Sequence, residues 1–374
     1  MSTVAVARCR PGFEVEAAAD LAEIATRART VSTVEVRRDS GFVVARLDTT
    51  AGPEAWRRAV ADAPPVFIRS HWIGTGPHPI AAPRPATAAD EPRARAGREV
   101  DRITPLVGAF EALASTAGHE PTWQAPFVEH ADTNDGRALS TLARALEGRL
   151  AGALAARGYA SATSARRAHV LLVDGATAYV GTADDPWGSR WPNGIARVRA
   201  PAGAPSRSAL KLAEAITLFL GERAGTLLRE GLSAVDLGAA PGGWTSQLVA
   251  RGMHVTAVDN AALDPALARH LNVEHVRADG LGYRPRRPVD WLVCDMVERP
   301  ARIAALVGDW IAEGRARHAI FNLKLPMKRR RDEALACAAA IRARIERSGI
   351  EASVALRHLY HDREEVTGCV LRER

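Results

Sequence analysis

The stretch Val235-Asp236-Leu237-Gly238-Ala239-Ala240-Pro241-Gly242-Gly243-Trp244-Thr245 decides the fold of the second half of the chain. An apolar run ends in an acid, and a glycine-rich turn then leads straight into a helical segment. Glycines let a backbone approach a ligand closely, and a helix N-terminus offers unpaired N–H groups. The spacing is not the GxGxxG of a dinucleotide site, and the GK[ST] of a phosphate-binding loop is missing. An acid before the turn would repel a pyrophosphate. It suits instead a ligand that carries an ammonium group, as S-adenosylmethionine does. Glycine turns of this kind also occur in α/β proteins with no such ligand.

Outward from this stretch, helix alternates with apolar strand. A helix is expected over 207–221, with strands at LSAVDLG, HVTAVDN, VEHVRAD, VDWLVCDM and HAIFNLKL, mostly separated by helical segments. A last pair, 352–360 and 365–372, reads as a hairpin. This pattern predicts a doubly wound parallel sheet covered on both faces, with ligands at the C-terminal strand ends. Acids stand at four of those ends: Asp236, Asp259, Asp279 and Asp295. Asp259, roughly 20 residues beyond the glycine loop, is placed to accept both hydroxyls of an adenosine ribose, and Asp279 to meet the adenine edge. Singly, each could be a solvated helix N-cap; together they converge on one edge of the sheet. Cys294 reads as a buried strand residue rather than a nucleophile, because apolar surroundings raise a thiol pKa.

Of the 50 basic residues only Lys211, Lys324 and Lys328 are lysines. Either composition alone explains this, or these positions need an amine. Lys324 closes an apolar strand, where a lysine loses hydration unless partnered and the proton-accepting form is favoured. Lys211 lies on the helix that opens this half and could equally be an ordinary exposed helix lysine. Lys328-Arg329-Arg330-Arg331 reads either as a phosphate contact or as a solvated helix start.

The first 75 residues run strand, helix, strand, strand, helix, strand, the order of a small ferredoxin-like α+β unit. Residues 76–98 are dense in Pro, Ala and Arg, cannot form a core, and are expected as a flexible surface loop. A second unit follows, with helices near 102–117 and 137–157 and strands near 123–130, 169–174 and 176–182. Turn formers over 183–205 mark a connection. The expected division is 1–75, 76–185, a linker at 186–205, and 206–374.

At 374 residues and 40.0 kDa the chain holds two or three domains. With 47% hydrophobic and 25% charged residues, wholesale disorder is excluded. No apolar run approaches the ~18–20 residues that cross a bilayer. The start reaches Arg8, Arg10 and Pro11 too soon for a signal peptide, so a cytoplasmic protein is expected. Cys9, Cys294, Cys337 and Cys369 are scattered, which argues against a zinc site or disulfide framework. A net charge of +7 permits a nucleic-acid partner without requiring one.

The motifs DLGAAPGGWT, VDN, ADG, VCDM, FNLKLPMK and YHDREEVT resemble the RlmM-type family of bacterial methyltransferases. CRPGFE, DRITPLVG, ADTND and APSRSALKL do so as well, and the resemblance runs over nearly the whole chain. That family methylates the ribose 2′-hydroxyl of a cytidine in 23S ribosomal RNA. It is similar to the wider FtsJ-like 2′-O-methyltransferases, which are marked by a Lys-Asp-Lys-Glu tetrad. The resemblance implies a Rossmann-like methyltransferase domain behind a ferredoxin-like plus THUMP RNA-binding half. It implies S-adenosylmethionine as cofactor and 23S ribosomal RNA, naked or in an assembling particle, as partner, with no metal and no membrane. The matching tetrad is Lys211, Asp295, Lys324 and Glu365, with Glu364 a substitute for the last, and Lys324 is expected as the general base. The cofactor contacts carried over are Ser208, Ala240, Pro241, Gly242, Gly243, Asp259, Asp279 and Asp295. The loop reads AAPGG where the family pattern is ACPGG, and the Pro/Ala/Arg insertion is longer than expected. A base methyltransferase on the same fold is the first alternative. Asp295-Met296-Val297-Glu298 lacks the Pro-Pro-aromatic run of amino methylation, and Cys294 lacks the proline-flanked setting of carbon-5 methylation. A catalytically silent RNA-binding or assembly factor is the other, and the intact lysine and acid set argues against it.

Overall fold

Two seven-stranded sheets organise the chain, one in each of the units Met1–Ile195 and Ala196–Arg374. The computed structural model describes residues 3–30, 32–48, 53–81, 100–115, 122–183 and 190–373.

The strands of the first unit are β1 (Thr3–Arg8), β2 (Ser32–Val36), β3 (Phe42–Leu47), β4 (Ser70–Pro79), β5 (Gln124–His130), β6 (Arg167–Leu172) and β7 (Thr177–Ala183). Their order is β2-β3-β1-β4-β7-β6-β5. The helices are α1 (Glu14–Arg27), α2 (Pro53–Asp62), α3 (Ile103–Ser115), α4 (Asn134–Ala138) and α5 (Ser140–Ala155). Central β4 pairs antiparallel with β1 on one side and β7 on the other, so the sheet is continuous. The start of the expected surface loop is corrected: Gly76–Pro79 extend β4, with His78 opposite Ala178 and Pro79 opposite Thr177. The register shifts between Thr75 and His78, an irregularity that accommodates Pro77, which has no N–H to donate. Residues 82–98 of that loop, and 186–189 of the expected linker, lie outside the described residues. α5 buries Ala143, Leu146, Leu150 and Leu154, a helical stripe that closes a core with Phe110, Trp123, Val170 and Val180.

The second unit contains β8 (Ser233–Leu237), β9 (His254–Val258), β10 (Val273–Val276), β11 (Val289–Cys294), β12 (Ala316–Lys324), β13 (Ala352–Arg357) and β14 (Glu365–Arg372). The order is β10-β9-β8-β11-β12-β14-β13. The first five pair in parallel, and β14 runs antiparallel to both its neighbours. From β8 the chain builds outward to β9 and β10, then returns to place β11 on the other side of β8. A crevice opens where the order reverses, at the C-terminal strand ends. The helices are α6 (Ala209–Ala215), α7 (Ala224–Leu227), α8 (Gly243–Val249), α9 (Pro265–Ala268), α10 (Pro300–Ala312) and α11 (Arg330–Arg347).

Two differences from expectation matter. The helix expected over 207–221 is α6 followed by a π-helical turn, Ile216–Leu220, and a 3-10 turn, Gly221–Arg223. No helix separates β10 from β11, where Gly280, Gly282, Pro285 and Pro288 disfavour one. Asp279 therefore lies in a loop, three residues past the end of β10.

Candidate active site

A cavity of about 390 Å³ lies over the ends of β8, β9 and β11, and its lining includes Gly238, Ala240, Asp259, Asp279, Asp295 and Met296. The glycine-rich turn forms one wall. Gly238 has φ +76°, and a Cβ there would come 2.7 Å from Met296 Cγ, so the turn and the loop after β11 meet only because Gly238 has no side chain. Asp259 Oδ2 accepts from the Ala240 N–H at 3.0 Å and its Oδ1 from the Ala261 N–H at 2.8 Å. Each oxygen keeps a further lone pair, so the carboxylate can still accept two hydroxyls. Asp279 Oδ1 accepts from the Leu281 N–H at 3.1 Å. Small loop residues beside the carboxylates of Asp259, Asp279 and Asp295 are an acceptor set that fits the ribose hydroxyls and amino groups of S-adenosylmethionine.

Of the residues carried over as cofactor contacts, the structure brings Ala240, Asp259, Asp279 and Asp295 to this cavity. Pro241, Gly242, Gly243 and Ser208 are not among its lining residues. Gly242 caps α8 and Gly243 begins it, and Ser208 packs against that start, where a Cβ on Gly243 would collide with Ser208 Oγ. Asp236 is corrected: it is fully buried below the turn, not at the edge of the cavity. Its Oδ2 accepts from the Thr245 hydroxyl at 2.7 Å, tying β8 to α8, while its Oδ1 is buried without a partner. Burial pushes this carboxyl up to about 7, and Asp295 and Asp259 add to the rise against the Thr245 bond. Cys294 is fully buried, and burial pushes its thiol up to about 12, so it is no nucleophile.

Beside the cavity four side chains close a ring. Lys211 comes from α6, Asp295 follows β11, Lys324 ends β12 and Glu365 begins β14. The β12–β14 register makes Lys324 and Glu365 direct cross-strand partners, and a slip of one residue would turn them to opposite faces. Lys211 donates to Glu365 and lies 3.8 Å from Asp295 Oδ2. Lys324 Nζ lies 3.3 Å from Asp295 Oδ1 and 3.7 Å from Glu365 Oε1. Glu365, not Glu364, meets the lysines; Glu364 is 61% exposed and pairs with Arg330 at 2.9 Å. Burial opposes charge on Lys211, but Asp295 and Glu365 outweigh it and hold its ammonium above the ordinary lysine range. Burial likewise works against the Glu365 carboxylate, and the two lysines prevail and hold it below the usual range. Lys324 is the more open lysine, its side chain 26% exposed against 15% for Lys211.

Sequence reasoning missed Asn322 and Thr367, which stand two residues inward on the same strand faces and are cross-strand partners. Asn322 donates to Asp295 Oδ1 at 2.7 Å, and Thr367 meets Asn322 Oδ1 at 2.7 Å. The signal was available in FNLKL and EEVT, where polar residues interrupt strands otherwise buried and apolar. Lys328 is exposed, Arg329 pairs with Asp332 at 3.1 Å, and Arg330 opens α11.

Residues 204–314 match the FtsJ-like methyltransferase family. Residues 101–184 match the N-terminal domain of ribosomal RNA large subunit methyltransferase M, and residues 1–71 the RlmM ferredoxin-like domain. Similar full-length proteins carry the name ribosomal RNA large subunit methyltransferase M. That of Methylococcus capsulatus is 44% identical over 365 residues, covering 96% of each chain. That of Laribacter hongkongensis is 39% identical, covering 98% of this chain and 96% of its own. That of Thauera aminoaromatica is 42% identical, covering 98% and 95%. With such identity sustained along both chains, and a lysine and carboxylate ring at the strand ends, this chain belongs to the ribosomal RNA large subunit methyltransferase M family.

Proposed function

We propose that this protein transfers a methyl group from S-adenosylmethionine to the ribose 2′-hydroxyl of a cytidine in 23S ribosomal RNA, with Lys324 taking the hydroxyl proton. The observation that carries this reading is the ring of Lys211, Asp295, Lys324 and Glu365, which shares Asp295 with the acid-lined cavity. When bound, S-adenosylmethionine supplies a methyl made electrophilic by its sulfonium. The protein's own contribution is to hold the hydroxyl in line with it, and positioning of this kind is worth up to ~7–11 kcal/mol.

The two lysines divide the work. Lys211, less exposed and held charged by its carboxylate neighbours, is an electrostatic support. Lys324 is the lysine open to an incoming ribose. Glu365 braces both amines, and Asp295 links them to the cavity. Asp259 and Asp279 hold the ribose and adenine of the cofactor. The first unit, ferredoxin-like in residues 1–75 and THUMP-like in 76–185, grips the RNA.

The test is radiolabelled methyl transfer to 23S RNA lacking the modification, followed by nuclease digestion and mass spectrometry. A methyl on a cytidine ribose supports the proposal. A methyl on a base, or RNA binding without transfer, contradicts it.

A further inference from the structure

Behind Asp295 stands a row of fully buried polar side chains: Asn322 on β12, Thr367 on β14, and Asp362 in the turn before β14. Their hydrogens can be assigned one by one. Asp295, faced by two lysines, only accepts, so Asn322 presents Nδ2 to it at 2.7 Å and turns Oδ1 to Thr367. Thr367 has a single hydroxyl hydrogen, and the 2.7 Å contact to Asn322 Oδ1 consumes it. Its remaining lone pairs face Asp362 Oδ1 and Oδ2 at 3.1 and 3.0 Å. That contact is a hydrogen bond only if Asp362 supplies the hydrogen. Asp362 Oδ2 also accepts from the Leu359 N–H at 2.9 Å.

We infer that Asp362 is a protonated carboxylic acid whose proton sets the direction of a hydrogen-bond relay, Asp362 to Thr367 to Asn322 to Asp295, that positions Asp295 within the lysine ring. The inference rests on the reading of that ring as catalytic. Burial pushes the Asp362 carboxyl up to about 8; the Leu359 N–H and Lys211 oppose the rise, and Glu365 and Glu214 add to it. Further titratable groups on adjoining elements include Arg357, which sits opposite Thr367, His358, whose Nε2 is 3.0 Å from Arg363 O, His361, whose Nδ1 is 2.7 Å from Glu214, and Tyr360, Arg363 and Lys324. Removing the Asp362 proton turns the Thr367 hydroxyl towards Asp362. Asn322 Oδ1 then loses its donor, its amide is free to rotate, and Asp295 loses a fixed partner. Asp362, Thr367 and Asn322 are thus positioning residues that touch neither RNA nor cofactor.

The experiment is a kcat profile of the full-length protein from about pH 7 to about pH 9.5, with tritiated S-adenosylmethionine and an unmethylated 23S transcript. Wild-type kcat, taken relative to that of Asp362→Asn at each pH so that the rise from Lys324 cancels, is expected to fall roughly fivefold or more above about pH 8, the signature of an acid that must keep its proton. Asp362→Asn preserves the geometry, with Nδ2 donating to Thr367 and Oδ1 accepting from Leu359. It should stay within about threefold of wild type near neutral pH and exceed it increasingly above about pH 8. Thr367→Val should lower kcat about tenfold or more with KM for S-adenosylmethionine within about twofold, and Thr367→Ser should restore it. A ratio of wild type to Asp362→Asn that stays flat from about pH 7 to about pH 9.5 overturns the relay. An inactive Asp295→Asn beside a flat ratio overturns the relay alone. An Asp295→Asn that turns over like wild type overturns the catalytic ring and the relay with it.

Discussion

Lys211 donates directly to Glu365, a residue 154 positions further along the chain, so the first helix of the second unit is tied to the first residue of its last strand. Lys324 reaches the same carboxylate from the neighbouring strand at 3.7 Å. Glu365 is thus the shared anion of two amines that would otherwise repel each other.

Neutralising it leaves both ammonium groups to Asp295. Glu365→Gln is expected to destabilise the protein by about 1–3 kcal/mol in urea unfolding and to lower kcat about tenfold or more. The folded carboxylate sits below its ordinary range, so its stabilisation is present above the unfolded pKa and is lost as pH falls through the folded one. The gap between wild type and Glu365→Gln should therefore narrow on acidification below about pH 4. A gap that widened there would contradict the ion-pair account.

Asp259 serves the loop and the cavity at once. Asp259→Ala removes acceptors for the Ala240 and Ala261 N–H groups as well as for a ribose. Charge-assisted bonds contribute roughly 1.5–3 kcal/mol each before water compensates. Calorimetry should show cofactor affinity reduced at least about tenfold with RNA affinity unchanged. Unaltered cofactor affinity would remove Asp259 from the site.

Gly243 lies outside the cavity lining, and its replacement tests packing. A Cβ there collides with Ser208 Oγ and lies 3.1 Å from Ala209 N. Gly243→Ala should cost about 1–3 kcal/mol, the usual range for overpacking. Thermal unfolding at the wild-type midpoint would show α6 yielding instead of resisting.

Asp236 is a buried acid with one bonded oxygen, raised to about 7. Its folded pKa exceeds the unfolded one, so its stabilisation is complete below about pH 4 and declines as pH rises towards the folded value. Asp236→Asn keeps an acceptor for Thr245 and has no proton to lose. Its stability relative to wild type should increase between about pH 5 and about pH 8, by up to roughly 2.5 kcal/mol. Urea midpoints at the two pH values check this, and a constant difference would contradict it.

The residues that end strands were legible because an acid or amine after an apolar run is a visible break. Asp259, Asp295 and Lys324 stood out in this way, and the cavity and ring lie where these breaks converge. Asp236 was misjudged because it precedes the last strand residue, Leu237, and alternation sends its side chain inward. Asn322 and Thr367 were hidden because their importance depends on the β12–β14 register, which no local pattern specifies. The choice of Glu365 over Glu364 follows from the same register. The π-helical turn after α6 gave no cue, since Ile216–Leu220 is apolar enough to continue any helix.

The central claim is that Lys324 accepts the ribose proton, and Lys324→Arg tests it most directly. Arginine keeps the charge and the contacts to Asp295 and Glu365 but cannot accept a proton. The measurement is the fraction of cytidine ribose methylated in 23S RNA by the purified variant, read by nuclease digestion and mass spectrometry beside wild type. The account expects a loss of about 100-fold or more, in the range attributed to general-base groups, with cofactor affinity retained. Methylation by Lys324→Arg near the wild-type rate would make Lys324 an electrostatic anchor and contradict the account.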